Sequence, residues 1–388
     1  MKKILSLILA AATLFTAVAL LSSCGSDDRY SSLEKIDTPY KGTKLYVYNW
    51  GEYFSDGQDG SYDLEKVFEA IYDIDLVYST YGSNEEMYAK LSSGTVKYDV
   101  VIPSDYMIAR LIEEDMLQKL NYDNIPNYSN INSAYTHDLY FDMGGEGKTP
   151  EYTVPYSVGM IGVVYNTEYV DEADAAEQSW SLLWNEKYSG KILNFDNSRD
   201  AFGVAMFYKG LDVNSTDEKV WNKAYDTLKE QRPLLKGFVM DQVFDEMEGE
   251  NSYIATYYAG DCITMMQNNE NLAFYYPKEG TNLFVDCMCI PKNAQNVGAA
   301  ELFINFMLEE RWAVENALYI CYASPNDKVI NSAYYREELG EDYLPILYDI
   351  PEQYKNADGT YNTKVAQYYY NLDAKTKGIL SNLWDKVK

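Results

Sequence analysis

Apolar residues recur along this chain in two rhythms, one of period two and one of period three to four. Lys44-Leu45-Tyr46-Val47 alternates like a strand and runs into Tyr48-Asn49-Trp50-Gly51-Glu52-Tyr53, where Gly51 breaks it. Leu64, Val67, Phe68 and Ile71 fall at helical spacing, which predicts an amphipathic helix from Asp63 to Tyr72. Ile74 to Tyr81 returns to alternation and is rich in strand-forming residues. Ser83 then opens a second helix as its N-cap, with Glu86 at the capping-box position. Tyr98-Asp99-Val100-Val101-Ile102 is a third strand. It is closed by Pro103-Ser104-Asp105-Tyr106, and a helix follows to about Glu114. Strand and helix alternating in this way predict an α/β unit with a parallel sheet. Ligands of such sheets sit beyond the carboxyl ends of the strands. Trp50–Tyr53 and Ser104–Tyr106 are two such ends, and both carry aromatic and polar side chains.

Residues 120–150 are rich in Asn, Tyr, Gly and Pro and are expected to form a long surface loop. Beyond it, Thr153–Tyr156 and Ile161–Tyr165 are expected as two crossing strands. Further strands are predicted at Lys191–Phe195, Ile254–Tyr258, Leu272–Tyr276 and Leu283–Ile290. Helices are predicted at Ser179–Trp184, after Asp196–Asp200 as far as Lys209, and at Val220–Leu228, Asp241–Met247, Gly298–Leu308 and Arg311–Leu318. The final stretch alternates Tyr-rich and polar segments and closes with a helix. No internal repeat, Gly-rich phosphate loop or G-x-S-x-G occurs.

Charge and composition narrow this picture. The 388 residues allow two domains, and an apolar share of 47% supplies real cores. The net charge of −28 argues against a nucleic-acid partner, which needs clustered Lys and Arg, and it draws cations toward the surface. The 39 tyrosines offer many stacking faces. At the N-terminus, Met1-Lys2-Lys3 precedes an apolar run from Ile4 to Leu21 and then Leu21-Ser22-Ser23-Cys24-Gly25. This resembles a bacterial lipoprotein signal peptide. The resemblance implies cleavage before Cys24, lipidation of Cys24 and a membrane tether that does not span. Residues 1–23 are then the signal peptide and 24–40 the lipidated Cys with a flexible tether reaching about 20 Å. Export permits disulfides among Cys262, Cys287, Cys289 and Cys321. Cys287 and Cys289 share one face of an alternating run and are expected to be free and buried. His137 is the single histidine, and without a zinc-like cysteine spacing no metal and no cofactor are expected.

Several segments carry a more specific resemblance. They are Trp50-x-x-Tyr53; Ser79-Thr80-Tyr81-x-Ser83-Asn84-Glu85-x-Met87-Tyr88-Ala89-Lys90-Leu91; Tyr98-Asp99-Val100-Val101-x-Pro103-Ser104; Pro277-Lys278-Glu279-Gly280; Ile304-Asn305-Phe306-Met307; and Tyr322-x-Ser324-Pro325-Asn326. Together they resemble the spermidine/putrescine-binding proteins of polyamine ABC transporters, from about Leu45 to Asn326. The resemblance implies a type II periplasmic-binding-protein fold, with two α/β lobes joined by a hinge with crossover strands. Lobe 1 is expected to take 41–154 plus 286–325, and lobe 2 to take 155–285 plus 326–388. It also implies a polyamine ligand, an ABC permease as partner, a monomer and no enzymatic activity. The expected ligand-binding residues are Trp50, Tyr53, Phe284 and Tyr322 as aromatic wall, Ser104 and Tyr106 after the third strand, and Asp200, Tyr258, Asp261 and Asp286. Asp286 is expected to grip one ammonium. The chain departs from the family at Gly51 (Thr or Ser), Asn197 (Asp in spermidine-type members), Asp200 (usually Glu) and Tyr258 (Trp).

Bottom-up chemistry is compatible with this. Carboxylates accept charge-assisted hydrogen bonds from ammonium groups, and aromatic faces cover methylenes and attract the cations. A carboxylate at Asp286, inside Phe284-Val285-Asp286-Cys287-Met288, needs a partner to be tolerated. Asp261 and Asp200 also stand at helix starts, where a role at the helix N-terminus explains them equally. Glu52 is expected on the rim. A sugar ligand, an exported glycosidase with two carboxylates, and a ligand-sensing surface protein stay open as readings of the same residues.

Overall fold

The computed structural model describes residues 28–137, 139–142 and 149–388. The signal segment and Cys24 lie outside the described residues. Strand β1 (Lys44–Trp50) is central in a three-stranded sheet, flanked in parallel by β2 (Asp75–Tyr81) and β3 (Val100–Val101). The helix Leu64–Tyr72 begins at Asp63, whose side chain accepts from Lys66 N–H. Its face of Leu64, Val67, Phe68 and Ile71 is buried. Ser83 accepts from Glu86 N–H at the start of the helix Asn84–Ser93. The Glu86 carboxylate reaches back one residue further than a capping box, to Gly82 N–H at 2.9 Å.

Strand β4 (Val154–Asn166) is one continuous 13-residue strand where two were expected. Gly159, near the expected break, does not interrupt it. The absence of a Cβ there lets the Phe284 ring lie across the strand, since a Cβ would stand 2.6 Å from its Cζ. The N-terminal half of β4 pairs antiparallel with β9 (Thr281–Met288), and its C-terminal half pairs with β7 (Ile254–Tyr258) and β8 (Leu272–Tyr275). β5 (Ile192–Phe195) and β6 (Leu235–Val239) extend this second sheet in parallel, and β10 (Ala366–Gln367) lies on its far side against β9. The chain beyond β9 bridges back to the first sheet at Val101–Cys289, while Ser104–Asp286 does so from within β9. β4 and β9 are therefore the strands that join the two lobes.

Each lobe has its own apolar core. One is built on Val47, Phe68, Phe303 and Trp312, the other on Trp180, Phe202, Trp221 and Met265. The chain near Asp28–Tyr40 is not a loose tether throughout. Tyr30, Leu33 and Tyr40 pack on the first core, and Ile36 N–H donates to Ile71 O at 2.8 Å, because these side chains have apolar surface to bury. The stretch after Leu120 holds short 3₁₀ turns pinned by side chains, for example Asn127 N–H on Asn305 Oδ1 at 2.9 Å. Cys262, Cys287, Cys289 and Cys321 are free and buried, and His137 is exposed.

Candidate functional site

All ten expected ligand-binding residues line one cavity between the lobes. Along β9, alternation points Asn282, Phe284 and Asp286 to the same side, into the cavity. The end of β1 supplies Trp50 and the loop after it Tyr53. Trp50 Nε1–H donates to Ile102 O at 2.9 Å, which fixes the indole beside Tyr81, with ring centroids 4.8 Å apart. Ser104 starts the helix Asp105–Glu113 without using its hydroxyl as a cap, and that hydroxyl acts on Asp286 in the cavity wall.

Three carboxylates share one arrangement. Tyr53 Oη donates to Asp286 Oδ2, Tyr258 Oη to Asp200 Oδ2 and Tyr322 Oη to Asp261 Oδ2, each at 2.7 Å. In each pair the tyrosine holds one oxygen, orienting the carboxylate without neutralising it. Tyr53 also hydrogen-bonds Ser157, and its carbonyl accepts from Tyr156 Oη at 2.6 Å, so the donor to Asp286 is fixed from behind. Asn197 caps the helix Ser198–Tyr208 through Oδ1 and donates through Nδ2 to Asp200 Oδ2 at 2.6 Å. Asn197 therefore supports Asp200 and does not itself line the cavity. Asp261 lies in the first turn of the helix Ala259–Asn268, whose N-cap is Tyr258. It is not the cap, and its carboxylate faces the cavity.

Electrostatics sharpen this arrangement. Among the described residues, no Lys or Arg lines the cavity. The buried Arg199 sends its guanidinium to Val213 O and Asn214 Oδ1 and lies 4.1 Å from the ring centre of Tyr369, and its charge favours the ionised form of Asp200 from behind the lining. Burial pushes the Asp286 carboxyl up to about 6. The hydroxyls of Ser104 and Tyr53 pull it down, and the charge of Asp200 adds to the rise. Burial also raises Asp200, against the hydrogen bonds of Asn197 and Tyr258, and holds Asp261 well above the usual carboxylate range, with Asp241 and Glu52 adding repulsion. Among the described residues, the Oδ1 atoms of Asp286 and Asn282 are buried acceptors that no donor meets with hydrogen-bond geometry. Paired tyrosines, unpaired acceptors and the lack of a protein base make a cavity complementary to a cation rich in N–H donors. Phe284, Tyr53, Tyr258 and Tyr322 form its aromatic wall. Tyr53–Tyr322 and Tyr258–Phe284 meet edge to face at 4.7 and 5.6 Å.

Ten further residues of the lining were not foreseen, Asn282, Asp105, Tyr369 and Asp241 among them. Asn282 follows from the alternation of β9, two positions before Phe284, so the signal was present. Asp105 adjoins Ser104, but its carboxylate accepts from Tyr106 N–H and Val285 N–H and serves mainly to tie β9 to the first lobe. Tyr369 comes from a segment without a local pattern and Asp241 stands at the start of a predicted helix, and only packing brings either to the cavity. Glu52 is exposed, with a left-handed backbone (φ 47°), and lies on an outer groove outside the cavity.

Two α/β lobes, joined by crossover strands and closing on a cavity between them, define a type II solute-binding protein. The chain belongs to the bacterial extracellular solute-binding proteins, whose family model matches residues 96–339. The spermidine/putrescine-binding periplasmic protein of Escherichia coli (strain K12) is 32% identical over 339 residues, covering 85% of this chain and 91% of that protein. The solved structure of the spermidine/putrescine ABC transporter substrate-binding protein of Streptococcus pneumoniae is 32% identical, covers 89% of this chain and 98% of that chain, and superposes with a TM-score of 0.67. A lipoprotein of Treponema pallidum is 25% identical, covers 89% and 99% of the two chains, and superposes with a TM-score of 0.70.

Proposed function

We propose that this protein captures polyamines outside the cell membrane and delivers them to an ABC importer. The observation that carries this reading is the set of three tyrosine-held carboxylates in a cavity without a protein cation. The relatives named for spermidine and putrescine support the same ligand class. In this reading Asp286 grips one ammonium, Asp200 and Asp261 take others, and Trp50, Tyr53, Tyr258, Phe284 and Tyr322 cover the methylenes. Ser104 and Tyr106 close the polar side. Uncompensated buried carboxylates oppose closure of the empty cleft, and the bound cation favours it. The protein binds as a monomer and does not turn its ligand over. Cys24 carries the lipid that holds it to the membrane, near the permease. Calorimetry with putrescine, spermidine and spermine tests the ligand. Saturable binding is expected, and no heat from any of the three overturns the reading. For the anchor, Cys24→Ala is expected to move the protein from the membrane fraction into the soluble one.

A further inference from the structure

Gly51 ends β1 in the first lobe, and Asp241 follows β6 in the second. The two meet across the cleft. A Cβ on Gly51 would overlap Asp241 Oδ2 and stand 3.1 Å from Asp241 Cγ. The backbone of Gly51 lies outside the left-handed region, so the Asp241 carboxylate is what excludes a side chain there. That carboxylate does not cap the helix it precedes, Gln242–Glu248, although the position invites it. It sits instead where two spaces join. Asp241 and Asp261 line both the inner cavity and a wider outer groove, whose walls carry Glu52, Asp245, Glu248 and Glu315 and, among the described residues, no Lys or Arg. Phe244 and Tyr334 supply apolar surface in that groove.

We propose that Asp241 is a specificity-determining carboxylate, admitted to the cleft by Gly51, that favours linear polyamines with three or more ammonium groups over diamines. The inference rests on the polyamine reading of the inner cavity. Asp241 and Asp261 line both the cavity and the outer groove, whereas Asp200 and Asp286 line the cavity and not the groove, so the acceptors are spread from an inner end to the mouth. The buried, unpartnered oxygens of Asp286 and Asn282 mark the inner part as the place for donors. A diamine has two cationic ends to offer. It satisfies two of these stations and leaves the Asp241–Asp261 mouth without a counter-charge. A longer chain passes between Asp241 and Asp261 and places a further ammonium there, with its end directed into the acidic groove. Desolvation raises the Asp241 carboxyl, and Tyr257 pulls it down, in keeping with a group partly covered by the facing lobe.

Calorimetry of the wild type, Asp241→Asn and Gly51→Ser with putrescine, spermidine and spermine tests this. Asp241→Asn is expected to weaken spermidine and spermine by about tenfold and putrescine by less than about twofold, the loss of one charge-assisted contact. Gly51→Ser is expected to give the same pattern by displacing the carboxylate. Asp241 is exposed at the rim, so its Asn variant keeps the fold, which ligand-free melting verifies. Equal losses for all three amines, or no loss for any, overturn the role of Asp241 while leaving the polyamine reading standing. A wild type that binds none of the three overturns that reading, and this inference with it.

Discussion

The inner cavity and the outer groove are both acidic, yet they hold their charge in different ways. Inside, Asp200, Asp261 and Asp286 are buried and each is oriented by a tyrosine hydroxyl. Outside, Asp245 and Glu248 face the solvent-filled groove. The first group is desolvated, with its geometry set before a ligand arrives, so a donor gains a strong contact at fixed angles. The second group is screened by water and salt and acts at a distance. The contrast teaches that carboxylate number alone is a poor guide here. In the proposed reading, partner and burial decide which acids bind and which only attract.

Removing an inner acid breaks this contrast most sharply. Asp286→Ala is expected to weaken polyamine binding by about a hundredfold or more, as loss of a buried charge-paired contact does. Calorimetry measures it, and an unchanged affinity would remove Asp286 from the site.

The next largest effect is that of pH. The Asp286 carboxyl stands at about 6, above its ordinary 3.8, because burial disfavours its charge. In the ligand-free protein this raised value makes the group cost stability as pH rises through about 6. A bound cation favours the charged form, so binding releases a proton below that value. Affinity is therefore expected to fall by up to about tenfold per pH unit below 6 and to level off above 7. Titrations at pH 5, 6 and 7 in two buffers of different ionisation heat measure both the affinity and the proton released. A flat profile would contradict the buried carboxylate.

A smaller effect is expected from the tyrosines. Tyr322→Phe removes the donor that holds Asp261 but keeps the ring, and should weaken binding by about tenfold or less. If Asp261→Asn and the double variant lose no more than Tyr322→Phe alone, the pair acts as a unit.

The groove should matter least. Asp245→Asn with Glu248→Gln is expected to slow association by a few-fold at low salt and to leave dissociation unchanged, because exposed charges steer encounter. Stopped-flow rates across a salt series separate the two. A change in dissociation would place these acids in contact with ligand.

The α/β alternation was legible because each element of the first lobe carries its own period: Leu64, Val67, Phe68 and Ile71 lie on one helix face, and Leu45 and Val47 on one side of β1. Family likeness was legible in the ordered segments around Trp50, Ser83, Ser104 and Tyr322. The length of β4 was not. Gly159 falls in the gap between the two expected strands, and it is a strand residue because β4 pairs through it with β9, opposite Phe284.

By itself, the chain's pattern determined the type of its elements, its apolar cores and the residue types a cation would need. Those properties depend on neighbours within a few positions, where periodicity and charge act. Tertiary structure alone decided which tyrosine meets which aspartate, that Asn197 braces Asp200, and that Asp241 stands against Gly51. Each of these is a contact between segments that no local spacing relates. They arise when β4 and β9 join the lobes and the burial of apolar surface on both sides brings the strand ends together.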